Sequence, residues 1–306
     1  MKILLGGGTG LVGTRLNNCL QALGHEITVI SRKPSPSKKI ITWNDIERNG
    51  IPSSTDVIIN LSGRNIGDIS LSQFTGKYND FLKEVKSSRI YTSSLLSSLT
   101  DEKIKYYINA SAVGIYESSR ENVYDEFSSL EHKSYMSNLC AEWEKSVNVK
   151  SDKSRSFAFR IGVVIDKDSP VLKQLYLPFK LGFGGPVGDG NQWFPWIHMS
   201  DLLEIFKYTL EGKFDKVYDE NKMRPFPVNC VAPSSIKYKE FTYAYGEVLN
   251  APMKNVFHTP GFVISTLMGK ERADLILEGP NVMPKVCTDN GFKFKYTDIK
   301  TALNNL

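Results

Sequence analysis

"KILLGGGTGLVG", residues 2–13, is the stretch on which the fold turns. Ile3, Leu4 and Leu5 make a short apolar run, the pattern of a strand buried on both faces. Glycines follow at once. Leu11, Val12, Leu16, Leu20 and Leu23 then recur at helical spacing until Gly24 supplies a stop. "HEITVISRK" reads as a second strand over residues 27–31, which makes a β-α-β unit with a glycine-rich first turn. Within that turn Gly7, Gly10 and Gly13 have separate uses: a tight turn, close approach of the backbone to a pyrophosphate, and close packing of helix on strand. The helix N-terminus adds free N–H groups and the positive end of a dipole. The alternative is a purely structural turn.

Outward from the turn, the end of the second strand selects the nucleotide. An acidic residue there would bond a ribose 2′-hydroxyl, whereas this chain has Ser31, Arg32 and Lys33. A guanidinium and an ammonium suit a 2′-phosphate, so NADP(H) is expected over NAD(H). The alternative is that Arg32 and Lys33 only solvate a loop.

Further along, "KKIITW" reads as a third strand and "DVIINLSG" as a fourth whose small terminal residues let a ligand lie against the backbone. A long helical pattern follows over residues 71–99. On it Glu84 and Arg89 either reach back to the cofactor or are exposed charges. "IKYYINASAVGIY" gives a fifth strand over 105–110 that opens into a loop at Ser111, residues 134–149 a helix, and "RSFAFRIGVVI" a sixth strand. This alternation argues an α/β fold built on a doubly wound parallel sheet. After residue 166 the texture becomes rich in Gly, Pro and aromatics. A helix capped by Ser200 or Asp201, short strands near Val217 and Val228, and helices over 238–249 and 273–277 are expected there. The nucleotide-binding domain is set at 1–165, open to completion by later segments. A smaller α+β substrate-side region is set at 166–306, with a small C-terminal domain from about residue 255.

Composition is that of an ordinary globular chain: 306 residues, 41% apolar, 23% charged, net charge +5. The mild positive excess suits an anionic small ligand and gives no basic stripe for nucleic acid. Four cysteines lie far apart with no metal-ligand spacing, which points to no metal and to buried thiols in a reducing compartment. No apolar run is long enough to span a membrane. A strand starting at Lys2 leaves no length for a presequence unless one was trimmed, so the cytoplasm is the expected location.

The runs "GGGTGLVG", "SRKP", "INLSGRNI", "LPFKLGFGGPVGDGNQWFPWIH", "VNCVAPSS" and "LEGPNVMPK…GFKFKYTDIKTAL" together resemble the extended short-chain dehydrogenase/reductase superfamily, in its atypical "epimerase family" branch. The resemblance spans nearly the whole chain. It implies an NADP-binding Rossmann core in which Gly7, Thr9, Gly10, Leu11 and Val12 hold the pyrophosphate and Ser31 and Arg32 the adenosine ribose phosphate. Leu61, Ser62 and Gly63 would lie beside the cofactor, with Glu84 and Arg89 also turned to it and Gly162 and Val163 at its nicotinamide end.

Short-chain dehydrogenases move their proton with a Tyr-x-x-x-Lys pair on one helix face. The aligned positions here are Ser134 and Asn138. Tyr135 stands roughly 100° around the helix and Asn138 brings no cation, so the pair is absent in register. Two such strings, at Tyr176–Lys180 and Tyr218–Lys222, are chance matches in the wrong place. Ser111 is either a substrate-polarising hydroxyl or a capping one, and Tyr116 and Tyr135 are the nearest candidate proton donors. His198 is expected to be structural or to line a substrate pocket, and Trp193, Phe194 and Trp196 to be cleft wall or core. The expected function is an NADP(H)-dependent oxidoreductase or epimerase acting on an unidentified small carbonyl or hydroxyl compound, with a homodimer left open as the assembly. The alternative is a non-catalytic NADP(H)-binding sensor or scaffold.

Overall fold

The computed structural model describes residues 1–33, 39–66, 78–221, 223–252 and 258–306. The strands are β1 (Lys2–Gly6), β2 (Glu26–Ser31), β3 (Ile40–Thr42), β4 (Val57–Asn60), β5 (Tyr106–Ala112), β6 (Val123–Tyr124), β7 (Arg155–Ile161), β8 (Val163–Ile165), β9 (Trp196–His198), β10 (Phe226–Cys230) and β11 (Asn281–Val282). The helices are α1 (Leu11–Ala22), α2 (Trp43–Asn49), α3 (Tyr78–Ser98), α4 (Tyr135–Lys145), α5 (Pro170–Lys180), α6 (Met199–Leu210), α7 (Asp215–Glu220), α8 (Tyr238–Val248), α9 (Gly261–Met268), α10 (Lys270–Leu277), α11 (Lys285–Asp289) and α12 (Ile299–Asn304).

Seven strands form one parallel sheet in the order β10-β7-β5-β4-β1-β2-β3. Both faces are covered, as the apolar strand runs require. Ile3, Leu5, Val57 and Ile59 pack with Leu16 and Leu20 of α1 and Leu202, Ile205 and Phe206 of α6. Leu4, Ile30, Ile58 and Tyr107 face the other way, onto Ile46 of α2 and Leu96 of α3. Strand order reverses between β1 and β4, and in such sheets the crevice outside those carboxyl ends is where ligands bind. Among the described residues no helix is long and apolar enough to cross a membrane.

Several expectations are corrected. The sixth strand is two: Gly162 separates β7 from β8, because a Cβ there would stand 2.6 Å from the Pro195 carbonyl oxygen, and β8 leaves the main sheet to pair with β9. β5 runs through Ser111 rather than opening into a loop there. Val217 lies in α7, not a strand, since Phe214 and Tyr218 set an inward i,i+4 pair. α2 was not expected; its signal is the capping box in which Thr42 and Asp45 bond each other's backbone N–H. α6 is capped by neither Ser200 nor Asp201. His198 does it, with Nδ1 accepting from the Ser200 N–H at 3.2 Å. The expected helix over 71–99 is α3 from Tyr78; residues 71–77 lie outside the described residues, as does Lys222.

The chain beyond 165 divides between the main sheet and a second core in which Phe179 of α5, Phe194, Trp196, Phe241 of α8 and Leu303 of α12 pack together. β10 completes the main sheet beside β7, and α6 packs on it. The last segments are tied on by two buried carboxylates. Asp201 accepts from the Lys295 and Tyr296 N–H groups at 2.8 and 2.9 Å, and Glu126 from those of Asn229 and Val286 at 2.9 and 3.2 Å. Parallel pairing of β11 with β6 adds a third tie.

Candidate functional site

The crevice begins at the first turn. Gly7 has φ +74°, and a Cβ on it would meet the Leu61 carbonyl at 2.6 Å, so β1 and β4 end in direct backbone contact. A Cβ on Gly13 would stand 2.2 Å from the Gly7 oxygen, which fixes how closely α1 sits on the turn. Gly10 differs: its added Cβ would meet only the Gly7 oxygen, at 3.4 Å, and the residue is exposed. The protein itself fills the space at Gly7 and Gly13 and leaves it open at Gly10. Gly10 is also the N-cap of α1 and brings no side-chain cap, and the first turn holds no acid, so the helix itself supplies no side-chain acceptor for the amides of Leu11, Val12 and Gly13.

The opposite bank is set by a polar cluster that the sequence reading missed. Asn60 and Asn109 are paired across β4 and β5. Asn60 Nδ2 donates to Asn109 Oδ1 at 3.0 Å and to Ser93 Oγ at 3.1 Å, while Asn60 Oδ1 accepts from the Ser62 N–H at 3.1 Å. This holds the Leu61–Ser62 turn against Gly7. Among the described residues Ser62 Oγ is buried with no partner, the kind of group that a ligand satisfies. Gly63 beside it packs on Arg89, whose Cγ would stand 3.1 Å from a Cβ. Arg89 Nη1 donates to the carbonyls of Arg64 at 2.8 Å and Val85 at 2.9 Å, and the guanidinium lies over Trp143. Burial pushes its pKa down, with Cys140 and Tyr135 opposing. Glu84 is exposed and ion-paired with Arg64. Ser31 ends β2 with its Oγ accepting from the Lys33 N–H at 3.3 Å, and Arg32 is exposed. Gly162 and Val163 stand at the carboxyl end of β7, two strands from β4.

A second cluster joins the ends of β5, β7 and β10. Ser111 donates to Glu144 Oε1 at 2.6 Å. Arg160 grips the same carboxylate with Nε and Nη2, both at 2.9 Å, and its Nη1 donates to the Tyr116 oxygen at 2.8 Å. Tyr116 donates onward to Asn229 Oδ1 at 2.8 Å. Burial works against the Arg160 charge, but Glu144 outweighs it and holds the guanidinium above its ordinary value. Burial likewise pushes the Tyr116 phenol up to about 12, with Arg160 opposing, and only 2% of the residue is exposed. Ser111 and Tyr116 thus meet through Glu144 and Arg160, two residues the sequence reading did not single out. Tyr135 stands apart, its hydroxyl donating to the Leu82 carbonyl at 3.1 Å.

The positions aligned with the missing Tyr–Lys pair have other work. Ser134 is the N-cap of α4, with Oγ accepting from the Ser137 N–H at 3.1 Å. Asn138 Nδ2 donates to the carbonyls of His132 at 2.7 Å and Ser134 at 2.9 Å. His198 stacks on Tyr296 with centroids 4.0 Å apart. Phe194 and Trp196 are core, while Trp193 is half-buried under the Lys237 ammonium.

Comparison with known proteins agrees with this architecture. Residues 3–219 match the model of the NAD dependent epimerase/dehydratase family, and residues 259–306 match a domain of unknown function, DUF1731. The human epimerase family protein SDR39U1 is 35% identical over 309 residues, covering 100% of this chain and 99% of its own. The Bacillus subtilis epimerase family protein YfhF is 30% identical over 319 residues, covering 100% and 98%. A crystal structure of human SDR39U1, isoform 2, with NADPH superposes with a TM-score of 0.89 at 34% identity, over 100% of this chain and 98% of that one.

Proposed function

The chain belongs to the NAD dependent epimerase/dehydratase family, and on that premise we propose that it binds NADPH along the carboxyl ends of β1 and β4 and acts as an oxidoreductase or epimerase on a small hydroxyl or carbonyl compound. The observation that carries the reading is the cradle. Among the described residues, space is left open at Gly10, the α1 amides lack a side-chain cap, and Ser62 Oγ is buried without a partner. In this reading Gly7, Thr9, Gly10, Leu11, Val12 and Gly13 surround the pyrophosphate, Ser31 and Arg32 take the 2′-phosphate, and Leu61, Ser62, Gly63 and Arg89 line the bank across from them. When bound, the nicotinamide supplies the hydride donor or acceptor. The family relative crystallised with NADPH supports the choice of the phosphorylated nucleotide. We place the protein in the cytoplasm, on its four free cysteines.

The test is calorimetry on nucleotide-free protein. Arg32→Glu is expected to weaken NADPH by about 10- to 100-fold and to leave NADH within about threefold, the loss expected when a charge-assisted phosphate contact becomes repulsive. Equal losses for both nucleotides overturn the 2′-phosphate assignment. One observation favours a second reading, a non-catalytic NADPH sensor: Ser134 and Asn138 stand where the proton-moving pair is expected. Slow oxidation of NADPH across a panel of carbonyl compounds supports the enzyme; tight binding with a blank panel supports the sensor.

A further inference from the structure

Three segments of chain meet around Trp193, outside the clusters already described. From the loop after β5, the Arg120 carbonyl accepts from Trp193 Nε1 at 3.2 Å and the Arg120 guanidinium pairs with Asp189 at 2.7 Å. The start of α8 is stitched to the same stretch: Lys237 bridges to Trp193, and the Tyr238 and Lys239 N–H groups donate to the Gln192 and Gly190 carbonyls at 2.9 and 3.0 Å. The Trp193 carbonyl backs onto Gly279, while the Pro195 carbonyl backs onto Gly162 and accepts from the Val163 N–H at 2.8 Å. Trp193 is two residues from that contact, about 7 Å of chain. It therefore stands on the rim beside the Gly162–Val163 end of the proposed nucleotide site. The cations here outnumber the acids. Arg120 has Asp189, but among the described residues Lys237 and Lys239 form no ion pair. Lys239 Nζ donates to the neutral Asn191 Oδ1 at 2.8 Å, and the Glu240 carboxylate is turned to the Lys237 backbone N–H at 2.6 Å. The Lys237 ammonium lies 3.2 Å from the centroid of the Trp193 ring, which holds a cation in place without neutralising it. Burial and the neighbouring Arg120 push its pKa down, with Glu240 opposing, the sign of a cation short of counter-charge. Arg120 is exposed and Lys237 half-buried, so a ligand reaches both.

We infer that the rim formed by Lys237 and Arg120 takes an oxyanion carried by the substrate, a carboxylate or a phosphate monoester, and so selects acidic hydroxyl or carbonyl compounds over neutral ones. An oxyanion supplies the counter-charge that Lys237 lacks and forms a charge-assisted hydrogen bond with it. Trp193 already orders the ammonium, so little side-chain freedom is lost when the contact forms. Lys237 is the residue that touches the anion, and Arg120 adds to the field around it. The site is partly exposed, so the gain is the modest one of a solvent-screened ion pair. The inference rests on the proposed nucleotide site, because it needs the reacting end of the substrate to lie beside the nicotinamide.

The experiment uses NADPH-loaded protein and matched aldehydes followed by ligand-observed NMR. 4-Formylbenzoate and the longer 4′-formylbiphenyl-4-carboxylate are each set against their methyl esters, and 4-formylphenyl phosphate against 4-hydroxybenzaldehyde; the carboxylate and phosphate arms separate the two oxyanions. In at least one arm the anion is expected to bind about three- to tenfold tighter than its neutral partner, with the preference shrinking between about 50 mM and about 0.5 M sodium chloride. Lys237→Gln is expected to erase the preference, to leave NADPH affinity within about twofold, and to keep the fold, since its side chain lies on the surface of Trp193. Lys173→Gln, which removes a lysine from α5 and alters net charge equally, is expected to leave the preference intact. Equal binding of anion and neutral partner in every arm, a preference that survives Lys237→Gln or is lost equally with Lys173→Gln, or no binding by any probe overturns the inference. So does a loss of NADPH affinity in Lys237→Gln as large as the loss for the probe, which would assign the lysine to the nucleotide. Failure of the wild-type protein to take up NADPH brings down the nucleotide reading and this inference with it; uptake without the preference sinks the inference alone.

Discussion

Glu126→Gln is the most exposing perturbation of the fold, because Glu126 is a carboxyl held where a charge is costly. It is 1% exposed, with Oε1 accepting from two backbone N–H groups and Oε2 buried without a partner among the described residues. Burial, with the neighbouring Asp125 adding to it and the backbone hydrogen bonds opposing, pushes its pKa from 4.5 up to about 7. A carboxyl with a raised folded pKa binds its proton more tightly in the native state. Its stability contribution is therefore full below about pH 4.5, declines as pH climbs toward 7, and is flat beyond. Between pH 5 and pH 8 the native protein loses about 2–3 kcal/mol through this group. Glutamine matches the neutral acid in shape, keeps a carbonyl for the Asn229 and Val286 N–H groups, and puts an amide where Oε2 is. The variant is expected to match wild type within about 1 kcal/mol at pH 5 and to exceed it by about 2–3 kcal/mol at pH 8. Urea unfolding of both proteins at pH 5, 6.5 and 8 measures this. Taking the difference removes other titrations common to both, including that of His198, whose pKa is lowered by burial and whose effect runs the other way. A difference between the two proteins that does not change with pH refutes the reasoning.

The turn offers a paired comparison. Gly13→Ala forces a Cβ to within 2.2 Å of backbone and is expected to cost about 3 kcal/mol or more in urea unfolding, whereas Gly10→Ala meets nothing nearer than 3.4 Å and is expected to change stability by under about 1 kcal/mol while weakening NADPH in calorimetry. Equal stability losses would show that the two glycines do not differ in kind. Asp201→Ala strips the acceptors from the Lys295 and Tyr296 N–H groups and is expected to cost about 2–4 kcal/mol, with hydrogen exchange at those two amides accelerating ahead of the β1 amides. Unchanged protection at 295 and 296 would contradict its role as a clamp.

The first turn was legible because strand, glycines and helix follow one another in sequence, and the sheet because strands buried on both faces read as apolar runs. α7 and α2 escaped for local reasons: a lone Val217 among charges mimicked a strand, and a capping box was passed over. The cluster around Ser111 escaped for a different reason. Its bonds join residues 33, 16 and 113 positions apart, and no spacing rule connects Ser111 to Glu144, Glu144 to Arg160, or Tyr116 to Asn229. One signal was present: an arginine in the middle of "FAFRIG", an otherwise apolar strand, must be buried and must find an acid. The Asn60–Asn109 pair carried a similar sign, a polar residue at the end of β4 and another within β5.

The two positions that depart from the Tyr–Lys pair show why that departure is more than a deletion. His132 has φ +52°, a backbone state that a histidine adopts at a cost, and Asn138 holds its carbonyl there while Ser134 caps the helix that follows. A tyrosine at 134 has no short side-chain oxygen to accept from the Ser137 N–H, so it cannot cap as Ser134 does. The loop before α4 is gathered on the Glu117 carboxylate, which accepts from the Lys133 and Ser134 N–H groups and from Ser137 Oγ. The charged pair at the strand ends is Glu144 with Arg160. From there it reaches through Tyr116 and Asn229 to the backbone that Glu126 shares with α11. A hydrogen-bonded chain fully buried at Arg160, Tyr116 and Asn229 is sensitive to any loss of a member, since each removal strands a polar group in a low-dielectric interior. The placement of Ser111 and the docking of the C-terminal segment therefore depend on the same set of bonds, and the segment is part of the structure that builds the site.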